Sequence, residues 1–221
     1  MKFNKNFIGY EHPNTSYVRD NILYSYNELG HRCVDVSKVN FDNYILFAGC
    51  SHTLGEGLHY QDSYPYITSK LLDCDYYNLG ISSSGFDVLF YNVNMWLHTY
   101  TKPKLIVLQY PDSSRFSVMS SESSLIEPYG AWRDNKEDTE FILKSQDIGL
   151  VEFRNNSYKR LLNQQTINIP CVKLIFGSTK SYDECIRIDK LDYAVDNVHY
   201  GQETHEYCAD TIIEHYANII R

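Results

Sequence analysis

One stretch of the chain, residues 45–58, reads ILFAGCSHTLGEGL. Its apolar half is short, ends at Gly49 and is typical of a strand buried inside a parallel sheet, so we predict a strand over residues 44–48. Ser51 follows at once, among closely spaced glycines. Two interpretations are open. The glycines serve only a tight turn, or the turn presents the Ser51 hydroxyl at the carboxyl edge of the strand.

The rest of the chain alternates short apolar runs with segments of helical period, the pattern of a parallel sheet covered by helices on both faces. LIVLQY, residues 105–110, is the clearest further strand. The other predicted strands are at 76–80 and 171–176, and the predicted helices are at about 63–72, 85–98, 157–165 and 202–220.

The sequence predicts an N-terminal extension over residues 1–43, which packs on the sheet, and a main domain over residues 44–221. In the extension we expect a strand–turn–strand over residues 25–32, with Gly30 at the turn. Arg32 in this turn is either structural or close to the functional site, and the sequence leaves both open. Residues 111–144 are polar and weakly periodic, and we interpret them as an insertion whose Tyr129, Trp132 and Arg133 are candidates for substrate selection.

Composition excludes several classes of partner. The 221 residues carry a net charge of −8 and no basic stripe, which argues against a nucleic-acid partner. No apolar run is long enough for a signal peptide or a membrane span, so the cytoplasm is the expected compartment. The 6 cysteines show no paired spacing and are expected to be reduced.

Four sets of residues that could take part in catalysis follow the predicted strands or precede the last helix. They are Ser51, Gly80, Gln109 with its neighbours to Asp112, and the pair Asp196 and His199. The functional crevice of an open parallel sheet lies at the carboxyl ends of its strands, so these groups are expected on one rim. His199 is suited to take the proton of Ser51, and Asp196, three residues earlier, is suited to fix its tautomer. The N–H groups of Ser51 and Gly80 are candidates to stabilise an oxyanion.

These residues carry a family resemblance. GCSHTLG (residues 49–55) resembles the G-D-S-x-T-x-G block of the SGNH, or GDSL-type, hydrolases, and NLGISSSG (78–85) and DNVHYG (196–201) are similar to their second and last blocks. The resemblance implies a three-layer α/β/α sandwich of flavodoxin-like kind. It also implies a serine esterase with Ser51, Asp196 and His199 as its triad, acting on a small-molecule or glycan ester such as an acetylated sugar.

Two positions depart from the family pattern. Cys50 replaces the usual aspartate of the first block, and we interpret it as a small buried thiol. Pro111 stands where the third block has an asparagine that donates to the oxyanion, and Gln109 is the candidate replacement. The departures keep a second interpretation open, a catalytically inactive SGNH fold that serves as a carbohydrate-binding or assembly module.

No cofactor or metal is expected. His199, His205 and Glu206 lie close in sequence, but their spacing matches no zinc pattern, and we expect His205 on an exposed helix face. The glycines after residue 48 match neither a P-loop nor a dinucleotide fingerprint.

Overall fold

The computed structural model describes residues 1–4, 6–119, 125–130, 132–133, 135–145, 148–177 and 184–220. The strands are β1 Lys2–Asn4, β2 Phe7–Gly9, β3 Ser16–Arg19, β4 Ile22–Ser25, β5 Tyr44–Ala48, β6 Asp75–Asn78, β7 Leu105–Gln109, β8 Phe116–Met119, β9 Ile126–Tyr129, β10 Cys171–Phe176 and β11 Ile186–Ile188. The α-helices are α1 Ser51–Leu54, α2 Tyr64–Leu71, α3 Phe86–Thr99, α4 Lys136–Ser145, α5 Ile148–Thr166 and α6 Gln202–Ile219.

The central sheet has five strands in the order β11-β10-β7-β5-β6, and every neighbouring pair is parallel. Counted from β5, the first strand of this sheet along the chain, the order is the 2-1-3-4-5 of flavodoxin-like folds. The direction of winding changes between β5 and β7. A crevice therefore opens at the carboxyl ends of these two strands, which is where Ser51 and Gln109 stand.

Alternation along the strands divides the core into two layers. Ile45 and Phe47 of β5 pack on one face with α2 and α6, whereas Leu46 and Ala48 pack on the other with α3 and α5. Successive side chains of a strand point to opposite faces, so one fully apolar pentapeptide supplies both layers. The three-layer α/β/α architecture expected from the sequence is confirmed.

The N-terminal residues contact the main domain at several places. The main chain of Ile8 in β2 exchanges two hydrogen bonds with the Asn92 side chain on α3. Strands β3 and β4 form an antiparallel hairpin whose Tyr24 hydroxyl accepts the Gly57 N–H at 2.9 Å. The extension therefore reaches the loop that follows α1.

The prediction of a hairpin over residues 25–32 is wrong. The hairpin in this part of the chain is formed by β3 and β4, which end at Ser25. Its turn consists of Asp20 and Asn21, both with positive φ (52° and 63°), which aspartate and asparagine tolerate better than most residues. Gly30 instead closes a turn by donating its N–H to the Asn27 carbonyl at 2.9 Å.

The predicted strands and helices of the sheet layers are otherwise found within one or two residues, apart from α5 and β11. Helix α5 begins at Ile148, nine residues before the predicted start. Strand β11 has 3 residues, too few to show a pattern. Within the described part of the chain, no helix combines the length and apolarity needed to cross a membrane.

Arg32 is buried beneath the end of α1. Its guanidinium donates to the carbonyls of Gly55 at 2.5 Å and Leu58 at 2.8 Å, and it stacks on the Tyr24 ring at 4.2 Å. A cation at the C-terminus of a helix satisfies carbonyls that have no intrahelical partner. Arg32 thus fixes the segment that carries Ser51, which supports the structural interpretation of this residue.

We expect Arg32→Gln to lower the free energy of unfolding by about 2–4 kcal/mol, because buried carbonyls lose a charged donor. Urea denaturation followed by circular dichroism measures the change. Arg187→Gln is the matched control, since the side chain of Arg187 is 54% exposed in its ion pair with Asp189, and about 0.5 kcal/mol or less is expected. Equal losses in the two variants would contradict the capping role of Arg32.

Candidate active site

Ser51 is the first residue of α1 and lies at the crevice between β5 and β7. It is 5% exposed and borders a cavity of about 150 Å³. Three segments at the carboxyl ends of strands line this cavity: the turn after β5 (Cys50, Ser51, His52), the end of β7 and its loop (Gln109, Tyr110, Pro111, Asp112, Arg115) and the end of β10 (Ile175, Phe176, Gly177).

Asp196 and His199 form a closed pair in the loop before α6. His199 Nδ1 and Asp196 Oδ2 are 2.7 Å apart, and Asp196 Oδ1 accepts the N–H groups of Val198 and His199, both at 2.9 Å. Burial by itself raises the pKa of the Asp196 carboxyl, but the His199 side chain and these N–H groups outweigh it and hold the pKa below its usual value. The carboxylate is therefore ionised at neutral pH and able to fix the imidazole tautomer.

This loop packs directly on the segment that follows Ser51. The Val195 N–H donates to the Gly57 carbonyl at 3.4 Å. Gly57 has φ +80°, and a Cβ there would lie 2.8 Å from Asp196 Oδ2, so only glycine lets the two segments approach this closely. The rings of His52 and His199 have centroids 5.5 Å apart. Residues distant along the chain are thus brought together at one edge of the sheet.

Among the described residues, the Ser51 hydroxyl makes no hydrogen bond with His199. Its side-chain polar neighbour is Cys50 Sγ, at 4.0 Å. Catalytic hydrogen bonds are often long before substrate binds, so the role of Ser51 as a nucleophile served by His199 stays a prediction.

Two of the three groups expected at the oxyanion have partners elsewhere. The Gly80 N–H donates to Asn78 Oδ1 at 2.8 Å, and the Gln109 amide nitrogen donates to the Tyr110 carbonyl at 3.1 Å. Gln109 Oε1 accepts the Cys50 N–H at 2.7 Å, which positions the turn after β5. The third group, the N–H of Ser51, stands at a helix start, where no intrahelical acceptor exists.

Glu56 is a site residue that the sequence analysis missed. Its Oε2 lies 3.8 Å from His199 Nε2 and accepts the Ser82 hydroxyl, and its Oε1 accepts from Arg19 at 2.9 Å. The carboxylate is 9% exposed. The sequence does place an acidic residue between two glycines, Gly55 and Gly57, directly after the block that contains Ser51. An acidic side chain in such a turn faces the segment that packs on the turn.

The three candidate substrate-selecting residues lie in the insertion. Arg133 is engaged internally, with Asp138 at 2.9 Å and the Tyr129 ring at 4.3 Å. Trp132 is 43% exposed, and its ring lies 5.1 Å from the Arg115 guanidinium, which borders the Ser51 cavity. Of the three, Trp132 is thus connected to the cavity by a contact with one of its lining residues. Substrate selection by these residues stays a prediction.

The expectation that His205 faces solvent is wrong. It is 0% exposed because α6 packs on α2, and its Nδ1 accepts the Tyr64 N–H at 3.0 Å. Burial lowers the pKa of this imidazole to about 3, so it stays neutral as an acceptor. In the described ranges, no group of three or more histidine, cysteine or acidic side chains is arranged to hold a metal ion.

The contact between His199 and Asp196 predicts a pH-dependent contribution to stability. The folded-state pKa of Asp196 is below its unfolded value, so the contribution is present above the unfolded pKa of about 3.9 and is lost as the pH falls through the folded value. We expect the unfolding free energy of the wild type to exceed that of Asp196→Asn at pH 7, with the difference shrinking as the pH falls below about 4.

Urea titrations between pH 7 and 3 measure this difference. Asp210→Asn, at an exposed position of α6, is the control and should show a small difference throughout. If the difference in unfolding free energy between the wild type and Asp196→Asn does not change with pH, ionisation of the Asp196 carboxyl is excluded as the cause of that difference.

Comparisons with known proteins give distant structural similarity. An acetyl xylan esterase from the rumen bacterium Butyrivibrio proteoclasticus aligns with a TM-score of 0.49 and 13% identity over 81% of this chain and 65% of that one. A carbohydrate esterase family 2 enzyme with a carbohydrate binding domain, from Corynascus thermopiles (Myceliophthora fergusii), gives 0.49 and 13% over 80% and 66%. A lipolytic protein of the G-D-S-L family from Veillonella parvula gives 0.46 and 14% over 77% and 96%.

No protein-family model matches the chain, and no curated protein matches its sequence. The chain spans 65% and 66% of the lengths of the first two structures. The descriptions of these proteins include the GDSL type that the sequence blocks resemble. With identities and TM-scores this low, the chemistry of this chain has to be inferred from its own residues.

Proposed function

We propose that the chain is a serine ester hydrolase in which Ser51 is the nucleophile, His199 the general base and Asp196 the residue that orients it. The observation that carries the proposal is the packing of the Asp196–His199 pair against the segment that begins with Ser51, at the switch point of the sheet. A serine on a strand-to-helix turn, an imidazole that can take its proton and a carboxylate on the imidazole Nδ1 are the parts needed for acyl transfer.

The reaction proceeds in two halves. In the first, Ser51 Oγ attacks the ester carbonyl carbon while His199 Nε2 takes the hydroxyl proton, and the carbonyl π electrons move to the oxygen. The tetrahedral intermediate collapses with cleavage of the ester C–O bond, and His199 returns the proton to the leaving alkoxide. In the second half, His199 deprotonates a water molecule as it attacks the acyl carbon. The bond between that carbon and Ser51 Oγ then breaks, His199 returns the proton to Oγ, and the acid is released.

Glu56 acts in this scheme on the charge of His199. With Asp196 on Nδ1 and Glu56 Oε2 3.8 Å from Nε2, the imidazole lies between two carboxylates. Both favour the imidazolium that forms when Ser51 loses its proton. Ser82 and Arg19 hold the Glu56 carboxylate in place through both of its oxygens.

The oxyanion is assigned first to the N–H of Ser51. Gly80 contributes its N–H only if Asn78 Oδ1 releases it, which requires a local rearrangement when substrate binds. Gln109 donates one of its two amide N–H groups to the Tyr110 carbonyl, and the second is left for another acceptor.

The size of the cavity favours a short acyl group. A cavity of about 150 Å³ holds a molecule of roughly the size of benzene, so an acetyl group fits and a long acyl chain does not. An O-acetylated carbohydrate is the first substrate to test, with exposed Trp132 in the insertion as the aromatic surface for the sugar.

A second function, that of a non-catalytic carbohydrate-binding or assembly module, is favoured by two observations. The Ser51 hydroxyl has no hydrogen bond to His199, and Pro111 removes the asparagine of the third block. A chain that binds acetylated sugar but does not turn it over would support this alternative.

A fluorophosphonate probe tests the proposal directly. We expect it to label Ser51, as located by peptide mass spectrometry, and we expect Ser51→Ala to lose both labelling and hydrolysis of p-nitrophenyl acetate, by roughly 10⁴-fold or more in kcat. Ser157→Ala, in α5, is the matched control and should keep both. Folded wild-type protein that neither reacts with the probe nor hydrolyses the ester would exclude the esterase.

A further inference from the structure

The hydrogen-bond donors around the Ser51 cavity are mostly engaged. The N–H of Gly80, the amide of Gln109 and the N–H of Cys50 all donate to protein oxygens at 2.7–3.1 Å. Pro111 has no N–H to donate. An oxyanion formed at Ser51 is therefore left with one backbone N–H, that of Ser51 itself, unless a side chain contributes.

Arg115 is a cationic side chain in the cavity lining with an unused donor. His52 Nδ1 in the same lining is also shielded without a partner, but an imidazole nitrogen donates in only one neutral tautomer, and the second amide N–H of Gln109 is uncharged. Arg115 borders the same cavity of about 150 Å³ as Ser51. Its Nη1 is shielded from solvent and has no hydrogen-bond partner within the described ranges. No described carboxylate lies within ion-pair distance of its guanidinium, although the chain has 28 acidic residues against 20 basic ones.

The surroundings of Arg115 hold its position without neutralising its charge. Its N–H donates to the Asp112 carbonyl at 3.1 Å in a tight turn after β7, and its guanidinium lies 5.1 Å from the Trp132 ring. The Asp112 carboxylate borders the cavity too, but its Oδ1 accepts from the N–H and hydroxyl of Ser114. A shielded cation with an unused N–H is costly unless a ligand supplies the negative charge.

We propose that Arg115 is a catalytic residue that donates from Nη1 to the oxyanion, in place of the asparagine that Pro111 removes. The inference rests on the proposed esterase function. As Ser51 Oγ bonds to the carbonyl carbon, the π electrons shift to the oxygen, and the fixed guanidinium meets that charge in a small cavity. When the ester C–O bond breaks, the charge returns to the carbonyl and Arg115 is released unchanged. The same contact forms again when water attacks the acyl-serine.

Kinetics on two esters test the role of Arg115. With neutral p-nitrophenyl acetate, we expect Arg115→Met to lower kcat by roughly 10² to 10³-fold with little change in KM, as for loss of an oxyanion donor. Arg115→Lys should recover part of the loss. 4-Acetoxybenzoate, an aryl acetate that carries a carboxylate, should show the same loss in kcat. Arg187→Met, at the exposed arginine of β11, is the matched control and should keep the wild-type rate.

Chemical rescue separates this role from a structural one. Guanidinium ion at millimolar concentration should restore part of kcat to Arg115→Ala, which also serves if the methionine variant folds poorly. Wild-type activity with Arg115→Met within about threefold of it overturns the inference and leaves the esterase intact. A loss confined to KM for 4-acetoxybenzoate also overturns it and makes Arg115 a binding site for a substrate carboxylate. An inactive, unlabelled wild type refutes the esterase itself.

Discussion

The Gln109 side chain joins the carboxyl ends of β5 and β7, and the candidate site depends on that link. Its Oε1 accepts the Cys50 N–H at 2.7 Å and the Thr53 hydroxyl at 3.1 Å, so one buried amide fixes the turn before Ser51 and the first turn of α1. This tie is one of the contacts that hold Ser51 at the carboxyl end of β5. One N–H of the same amide donates to the Tyr110 carbonyl, so only its second N–H is left for another acceptor.

Sequence reasoning succeeded where the signal is local. The apolar pentapeptide of β5 and the run in β7 are buried on both faces, and such segments can be read without knowledge of their neighbours. The three-residue spacing of Asp196 and His199 likewise allowed their contact to be predicted, because one loop presents both side chains. The parallel arrangement of these strands then places their carboxyl ends, and with them the crevice, at one edge of the sheet.

The roles that the sequence did not reveal depend on long-range packing. Glu56 gains its position because residues near 196 pack on Gly57, and His205 is buried because α6 meets α2. Arg115 stands out because its shielded Nη1 has no hydrogen-bond partner among the described residues. None of these contacts leaves a periodic or spaced pattern in one sequence. The misplaced hairpin differs, since Asp20 and Asn21 carried a readable turn signal.

The buried contacts of Arg32 bear on where the functional unit begins. Together with Tyr24, which accepts the Gly57 N–H, and Arg19, which pairs with Glu56, they tie the first 32 residues to the segment that follows Ser51. These contacts cross the boundary that the sequence predicts at residue 43. Shortened versions of the chain that start at β5 would leave the carbonyls of Gly55 and Leu58 and the Glu56 carboxylate without these partners, so the leading segment supports the turn on which Ser51 stands.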